Sequence, residues 1–149
     1  MYRRILVPLE HSPTDACILE HVRALARHCD ASIVLIHVAD GWAARNLDTL
    51  KLRESEEMKQ DRDYIERVAA ELVAGGLPAE AILANGEPAR EITAAAAREQ
   101  CDLIAMATHG HKFIGDVIHG SVASTVRHET AIPVLMVRAP GGGKRVPTP

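Results

Sequence analysis

Leu103-Ile-Ala-Met-Ala-Thr-His-Gly110, followed after nine residues by Gly120-Ser121, is the stretch on which the fold turns. The apolar run at its start has the character of a buried strand. It breaks into a small-residue turn, Ala107-Thr-His-Gly110, and leads into a helical pattern carried by Val117, Ile118, Val122, Thr125 and Val126. A strand that opens through such a turn onto a helix N-terminus is a place where phosphate binds, because unpaired backbone N–H groups and the helix dipole converge there. Glycine lets the backbone approach an anion closely, and Ser121 adds a hydroxyl at the start of the helix.

On both sides of this stretch, strand-like and helix-like periods alternate. Arg4-Ile-Leu-Val-Pro8 is a short apolar run that ends in proline. Ser12-Pro-Thr-Asp15 reads as a helix start, with Ser12 as the N-cap and Pro13 in the first helical position. Ile18, Leu19, Val22, Leu25 and Ala26 continue at helical spacing to about residue 28. Residues 32–38 (Ser-Ile-Val-Leu-Ile-His-Val) predict a strand buried on both faces, with His37 a core histidine satisfied by a hydrogen bond. Residues 39–52, with Gly41, Trp42 and Asn46, are weakly periodic and read as a long loop with room for a helical turn. A long amphipathic helix is predicted over residues 53–74, with Met58, Ile65, Val68, Ala69 and Leu72 inward and Gly75-Gly76 as its stop. Residues 79–84 predict a brief strand, Asn85-Gly-Glu-Pro88 a turn, and residues 88–100 a helix burying Ile92, Ala95 and Ala96. A fourth strand over residues 102–107, a helix to about residue 128 and a fifth strand over residues 133–138 complete the series.

This order is β-α-β-α-β-α-β-α-β. Right-handed crossovers turn it into one open, doubly wound parallel sheet of five strands, in the order 3-2-1-4-5, with helices on both faces. A chain of 149 residues supports one such domain, here residues 1–138. Residues 139–149, with Gly141-Gly-Gly143 and three prolines, read as a flexible tail. Aromatic residues make up only 3%, so the core is aliphatic, which suits a parallel sheet under alanine-rich helices. In doubly wound sheets ligands bind beyond the carboxyl ends of the strands, where the strand order reverses. That point lies between the first strand, ending at Pro8-Leu9-Glu10, and the fourth, ending at Met106-Ala107.

The net charge of −3 argues against nucleic acid as the main partner. No apolar run approaches the ~18 residues of a membrane span. Met1-Tyr-Arg-Arg4 leads straight into a strand without a signal-peptide apolar region, so a cytoplasmic location is expected. Cys17, Cys29 and Cys101 show no CxxC spacing and read as reduced structural thiols, with a redox sensor as the lesser alternative.

The chain resembles the universal stress protein family over nearly the whole domain. The resemblance rests on Ile5-Leu-Val-Pro8, Ser12, Leu35-Ile-His-Val38, Gly86-Glu-Pro88, Asp102-Leu-Ile-Ala-Met106, Thr108-His-Gly110, Gly120-Ser-Val122 and Ile132-Pro-Val-Leu-Met-Val137. The family's ATP-binding branch carries a pattern G-x2-G-x9-G-[ST]. Gly110, Gly120 and Ser121 match it, and Ala107 stands where the first glycine belongs. Glu10 stands where family members commonly carry aspartate. The resemblance implies that Pro8, Leu9 and Glu10 flank adenine and ribose, and that the Val38 backbone meets the adenine edge. It implies that Met106 and Ala107 pack beside the ribose, and that His109 neighbours the phosphates. Gly110, Gly120, Ser121 and the Val122 backbone would hold those phosphates, with Mg2+ bridging them. It also implies a homodimer through the last strand. Independently, Val134, Leu135, Met136 and Val137 would form a sheet edge that tends to be covered or paired.

Several residues carry a sharper and a plainer reading. His109, His111 and His119 suggest a transition-metal site, but His-x-His has no fixed partner spacing here, and phosphate-facing or solvent-facing imidazoles fit as well. Lys112 reads as a phosphate charge or a solvated loop lysine. Trp42 reads as a cleft cover or a loop anchor. The run Glu54, Glu56, Glu57, Lys59, Asp61, Arg62 and Asp63 reads as the wet face of a helix. No general base paired with a polarised nucleophile is visible, and no Walker lysine-serine follows the glycine turn. The function expected is a stress-response regulatory protein that binds ATP or a related adenine nucleotide. The alternatives are a slow ATP-hydrolysing or phosphoryl-transfer enzyme in the same cleft, or a nucleotide-free dimeric adaptor.

Overall fold

The computed structural model describes residues 1–40, 51–108 and 117–140. The chain runs β1 (Arg4–Pro8), α1 (Asp15–Cys29), β2 (Ser32–Asp40), α2 (Lys51–Ala74), β3 (Ala79–Gly86), α3 (Pro88–Arg98), β4 (Leu103–Thr108), α4 (Val117–Glu129) and β5 (Val134–Arg138). The five strands form one parallel sheet in the order β3-β2-β1-β4-β5, as the sequence predicts.

Strand alternation splits the core in two. Ile5, Val7, Ile33, Leu35, Leu103 and Ala105 point to one face and pack against Ile18, Leu19, Val22 and Ala26 of α1 and Ile65, Val68, Ala69 and Leu72 of α2. Leu6, Val34, Ile36, Ile104 and Met106 point to the other, against Ala89, Ile92, Ala95 and Ala96 of α3 and Ala123 and Val126 of α4. Consecutive residues within these runs are buried on opposite faces, which is why the strands read as continuous apolar stretches rather than as alternating ones.

Several element ends differ from the sequence reading. β2 runs on to Asp40 and β3 to Gly86, because the two strands stay paired through Ala39↔Asn85 and Asp40↔Gly86. Glu87 then caps α3, its carboxylate accepting from the N–H groups of Ala89 (3.1 Å) and Arg90 (2.8 Å), with Pro88 in the first turn. Gly86 has φ +142°, a conformation that side chains rarely adopt, and a Cβ there would stand 2.8 Å from the Glu91 carboxylate. Ala139 is buried, and its N–H donates to the Thr108 carbonyl at 2.9 Å, so packing continues one residue past β5. Residues 141–149 of the expected tail lie outside the described residues, as do Gly41, Trp42 and Asn46. Met58 is half-buried rather than core.

At the amino end of the sheet, the Asp102 carboxylate accepts from the Arg3 and Arg4 N–H groups at 2.9–3.1 Å. The Arg4 guanidinium meets Glu80 and Glu99 and donates to the Glu99 carbonyl at 2.8 Å. Cys101 is buried in this region, and burial pushes its thiol up to about 11 from the ordinary 9.0. Because the folded state holds the thiol proton more tightly, this contribution to stability is complete below about pH 9 and is lost as pH rises through about 11. Iodoacetamide at pH 8 should therefore label half-buried Cys17 and Cys29 well before Cys101; mass spectrometry after digestion reads the order.

Candidate functional site

β1 has two neighbours in the sheet, and it stays with them for different lengths. Its pairing with β2 runs through Pro8↔Ile36, and the Leu9 N–H still donates to the Ile36 carbonyl at 2.8 Å. Its pairing with β4 stops at Leu6↔Ile104, although β1 continues to Pro8 and β4 to Thr108. Backbone groups of alternate residues in a strand face opposite neighbours. Leu9 faces β2, and the Arg4 carbonyl accepts from Asp102 on the β4 side, so position 8 faces β4. Proline there has no N–H to offer. The hydrogen-bonded pairing of the two central strands ends where that donor is missing, and the candidate crevice lies there, at their carboxyl ends.

Continued past Leu6↔Ile104, the same register would bring Met106 level with Pro8 and Thr108 level with Glu10. Leu9 (3% exposed) and Met106 (6%) send their side chains into opposite halves of the core, so only their backbone faces the opening. Ala107 sits in regular β4, paired with Val137, and its side chain packs on the α1/α2 half of the core. It is not among the residues with positive φ, so this position does not need glycine's conformational freedom. Val38, near the end of β2, pairs with Ala84, and its half-buried side chain packs on the other half. Val122 of α4 packs there too. Gly120 and Ser121 lie in the first turns of α4, and the Ser121 side chain is outside the described residues. His109, Gly110, His111 and Lys112 are likewise outside them, as is the His119 side chain.

The loop after β1 is organised by a residue the sequence reading did not single out. Asp15, 3% exposed, accepts from the N–H groups of Glu10 (3.0 Å), His11 (2.9 Å) and Ser12 (3.3 Å), and from the Tyr64 hydroxyl (2.5 Å). His11 adopts φ +59°, which lets successive N–H groups converge on one carboxylate. A buried carboxylate is tolerable only when satisfied in this way. Tyr64 is held neutral, its hydroxyl pushed above the ordinary range by burial and by the Asp15 carboxylate. Ser12 is therefore not the N-cap of α1. Thr14 is, without a side-chain cap bond, and the chain enters the helix through a turn closed by Asp15 N–H to the Ser12 carbonyl at 3.1 Å. The Ser12 and Thr14 hydroxyls bond each other at 2.7 Å and stand 3.4–3.5 Å from the Glu10 carboxylate, beside the positive end of α1.

α2 closes this side of the site. His11 stacks on Tyr64 with ring centroids 4.0 Å apart, and its Nδ1 lies 2.9 Å from Asp61 Oδ1. The other Asp61 oxygen is 3.3 Å from Nε2 of His37, whose Nδ1 lies 2.8 Å from the Leu9 carbonyl. His37 is thus the satisfied core histidine expected. Asp61 does not belong to a wet face, whereas Glu56, Glu57, Lys59, Arg62 and Asp63 do. The available signal was spacing: Asp61 stands four residues before Ile65 and seven before Val68, on the inward stripe of the helix. Among the described residues no group of three or more His, Cys, Asp and Glu is arranged to hold a metal ion.

In chemical terms, the amide concavity of the β1 loop is already filled by the protein's own carboxylate. An incoming phosphate finds no vacancy there, while the β4–α4 side offers a helix N-terminus. Replacing Asp15 by alanine would strand three amides and the Tyr64 hydroxyl, and should destabilise the fold by about 3 kcal/mol in urea titrations. Tyr64→Phe removes one of the four donors and should cost about 1 kcal/mol.

The profile of the universal stress protein family matches residues 1–138. Universal stress protein MJ0577 of Methanocaldococcus jannaschii is 28% identical over 155 aligned residues, covering 93% of this chain and 96% of the relative. Its solved structure matches with a TM-score of 0.81. A universal stress protein of Methanothermobacter thermautotrophicus is 30% identical over 144 residues, covering 93% of this chain and 97% of the relative. The universal stress protein from Archaeoglobus fulgidus solved in complex with dAMP shares the fold at 20% identity, with a TM-score of 0.67 over 91% of this chain and 97% of that one. The match reaches from the first strand to the last, so this chain belongs to the universal stress protein family.

Proposed function

We propose that this protein binds an adenine nucleotide, with ATP as the fullest form, in the crevice between β1 and β4, and that binding serves regulation. The observation that carries the reading is that the β1–β4 pairing ends at Leu6↔Ile104, at the point where the strand order reverses. The Archaeoglobus fulgidus relative solved with dAMP supports the ligand class. Asp15 supports one orientation. With the β1-loop amides taken, the phosphates lie toward Gly110, Gly120, Ser121 and the Val122 backbone, with Mg2+ bridging them. The sugar and base lie toward Glu10, Pro8, Leu9 and the Val38 backbone, and Met106 and Ala107 border the sugar. His109 stands on the phosphate side.

Isothermal titration should show ATP binding, and a hundredfold excess over Kd should stabilise the fold by about 2.7 kcal/mol. Glu10→Ala should weaken ATP and adenosine alike by about tenfold, since it removes a charged acceptor for ribose hydroxyls. Turnover of magnesium-ATP should stay near zero. Sustained turnover would favour the enzyme reading, and no thermal shift with millimolar ATP would favour the nucleotide-free adaptor.

The same proposal includes a homodimer through β5. This strand is an edge of the sheet, bonded on one side to β4, with Met136 44% exposed and Val134, Leu135 and Val137 half-buried. An apolar edge of that kind is stabilised by pairing with a second copy. Leu135→Lys should convert dimer to monomer in sedimentation velocity; an unchanged dimer would refute this interface.

A further inference from the structure

The chain Leu9–His37–Asp61–His11 joins the base-side wall of the crevice to α2, and its hydrogen-bond chemistry fixes a proton count. A carbonyl oxygen only accepts, so the contact between His37 Nδ1 and the Leu9 carbonyl at 2.8 Å places a proton on Nδ1. The Nε2 of the same ring faces Asp61 Oδ2 at 3.3 Å, and a carboxylate also only accepts. The Oδ1 of Asp61 already takes the Nδ1 proton of His11 at 2.9 Å. A neutral His37 beside an ionised Asp61 would set a lone pair against a lone pair. The pair is therefore complete only with one further proton, held between Nε2 and Oδ2.

We infer that Asp61 is a positioning residue for the base side of the crevice, and that it works through this extra proton on His37. Loaded, His37 grips the Leu9 carbonyl from one nitrogen and α2 from the other, at the level where the β1–β2 ladder ends. Without the proton, the α2 contact becomes repulsive and the grip on Leu9 is free to turn. Among the described residues, the neighbouring ionisable groups have partners of their own. Asp15 of α1 is bonded to the loop amides and to Tyr64, Tyr64 of α2 is neutral and stacked under His11, and Glu10 of the loop stands beside the Ser12 and Thr14 hydroxyls. The inference rests on the nucleotide reading only where it concerns ligand affinity.

Two substitutions separate the proton from the packing. In Asp61→Asn, the amide N–H can donate to a neutral Nε2 while its oxygen accepts from His11, so the latch survives without the extra proton. Asp61→Ala removes it. The probe is adenosine, which carries no phosphate to titrate. Nitrogen-15 and carboxyl carbon-13 NMR of the free protein at pH 6 should show Nδ1 protonated and one proton shared by the Nε2–Oδ2 pair. Asp61→Asn should bind adenosine within about twofold of the wild type, and Asp61→Ala should bind about tenfold more weakly, both read at pH 6. A singly protonated His37 beside an ionised Asp61 in the NMR spectra, or an Asp61→Asn variant as weak as Asp61→Ala, would overturn the inference. If the wild type binds neither adenosine nor ATP, the nucleotide reading fails and the positioning role with it, while the NMR proton count still establishes the latch itself.

Discussion

Backbone groups on every second residue of β1 face β4, and at Pro8 that series of donors ends. A parallel ladder needs an N–H at each such position. Without it the β1–β4 pairing ends at Leu6↔Ile104, while β1 keeps its pairing with β2 through Pro8↔Ile36. That end falls at the reversal of strand order, where α1 and α4 pack on opposite faces of the sheet.

A second constraint gives the crevice its polarity. Three amides of the β1 loop converge in a manner that would suit an anion, and the protein fills the place with Asp15. The carboxylate is buried among four donors, which offsets the cost of removing a charge from water. One rim of the crevice is thereby closed to phosphate and stiffened. The other rim leads to the start of α4, where the helix dipole favours negative charge. In the proposed reading, a ligand with a charged end and a sugar end therefore enters with its charged end toward α4.

Much of this was legible in the sequence, and the reason is periodicity. Continuous apolar runs at residues 32–38 and 103–107 mark strands covered on both faces, and the alternation with helical stretches leaves few topologies open. The ligand end of the sheet could be placed for the same reason. Local capping was less legible. Ser12 followed by Pro13 looks like a helix start, yet the loop folds back on Asp15, whose fourth donor comes from Tyr64 of α2, 49 residues away in sequence. Asp61 was hidden by its company, since six charged neighbours on a helix suggest solvent, and only its phase relative to Ile65 and Val68 shows that it turns inward. Ala107 looked like a departure from a glycine pattern. In the sheet it is an ordinary strand residue whose methyl joins the core.

The central claim is that the opening between β1 and β4 holds an adenine nucleotide with its phosphates toward α4. A crystal structure grown with a non-hydrolysable ATP analogue tests it most directly. The account predicts the base and ribose between Glu10 and Val38 and the phosphates at the turn before α4. Density for the nucleotide elsewhere on the molecule, or phosphates seated on the amides of residues 10–12 in place of Asp15, would contradict it.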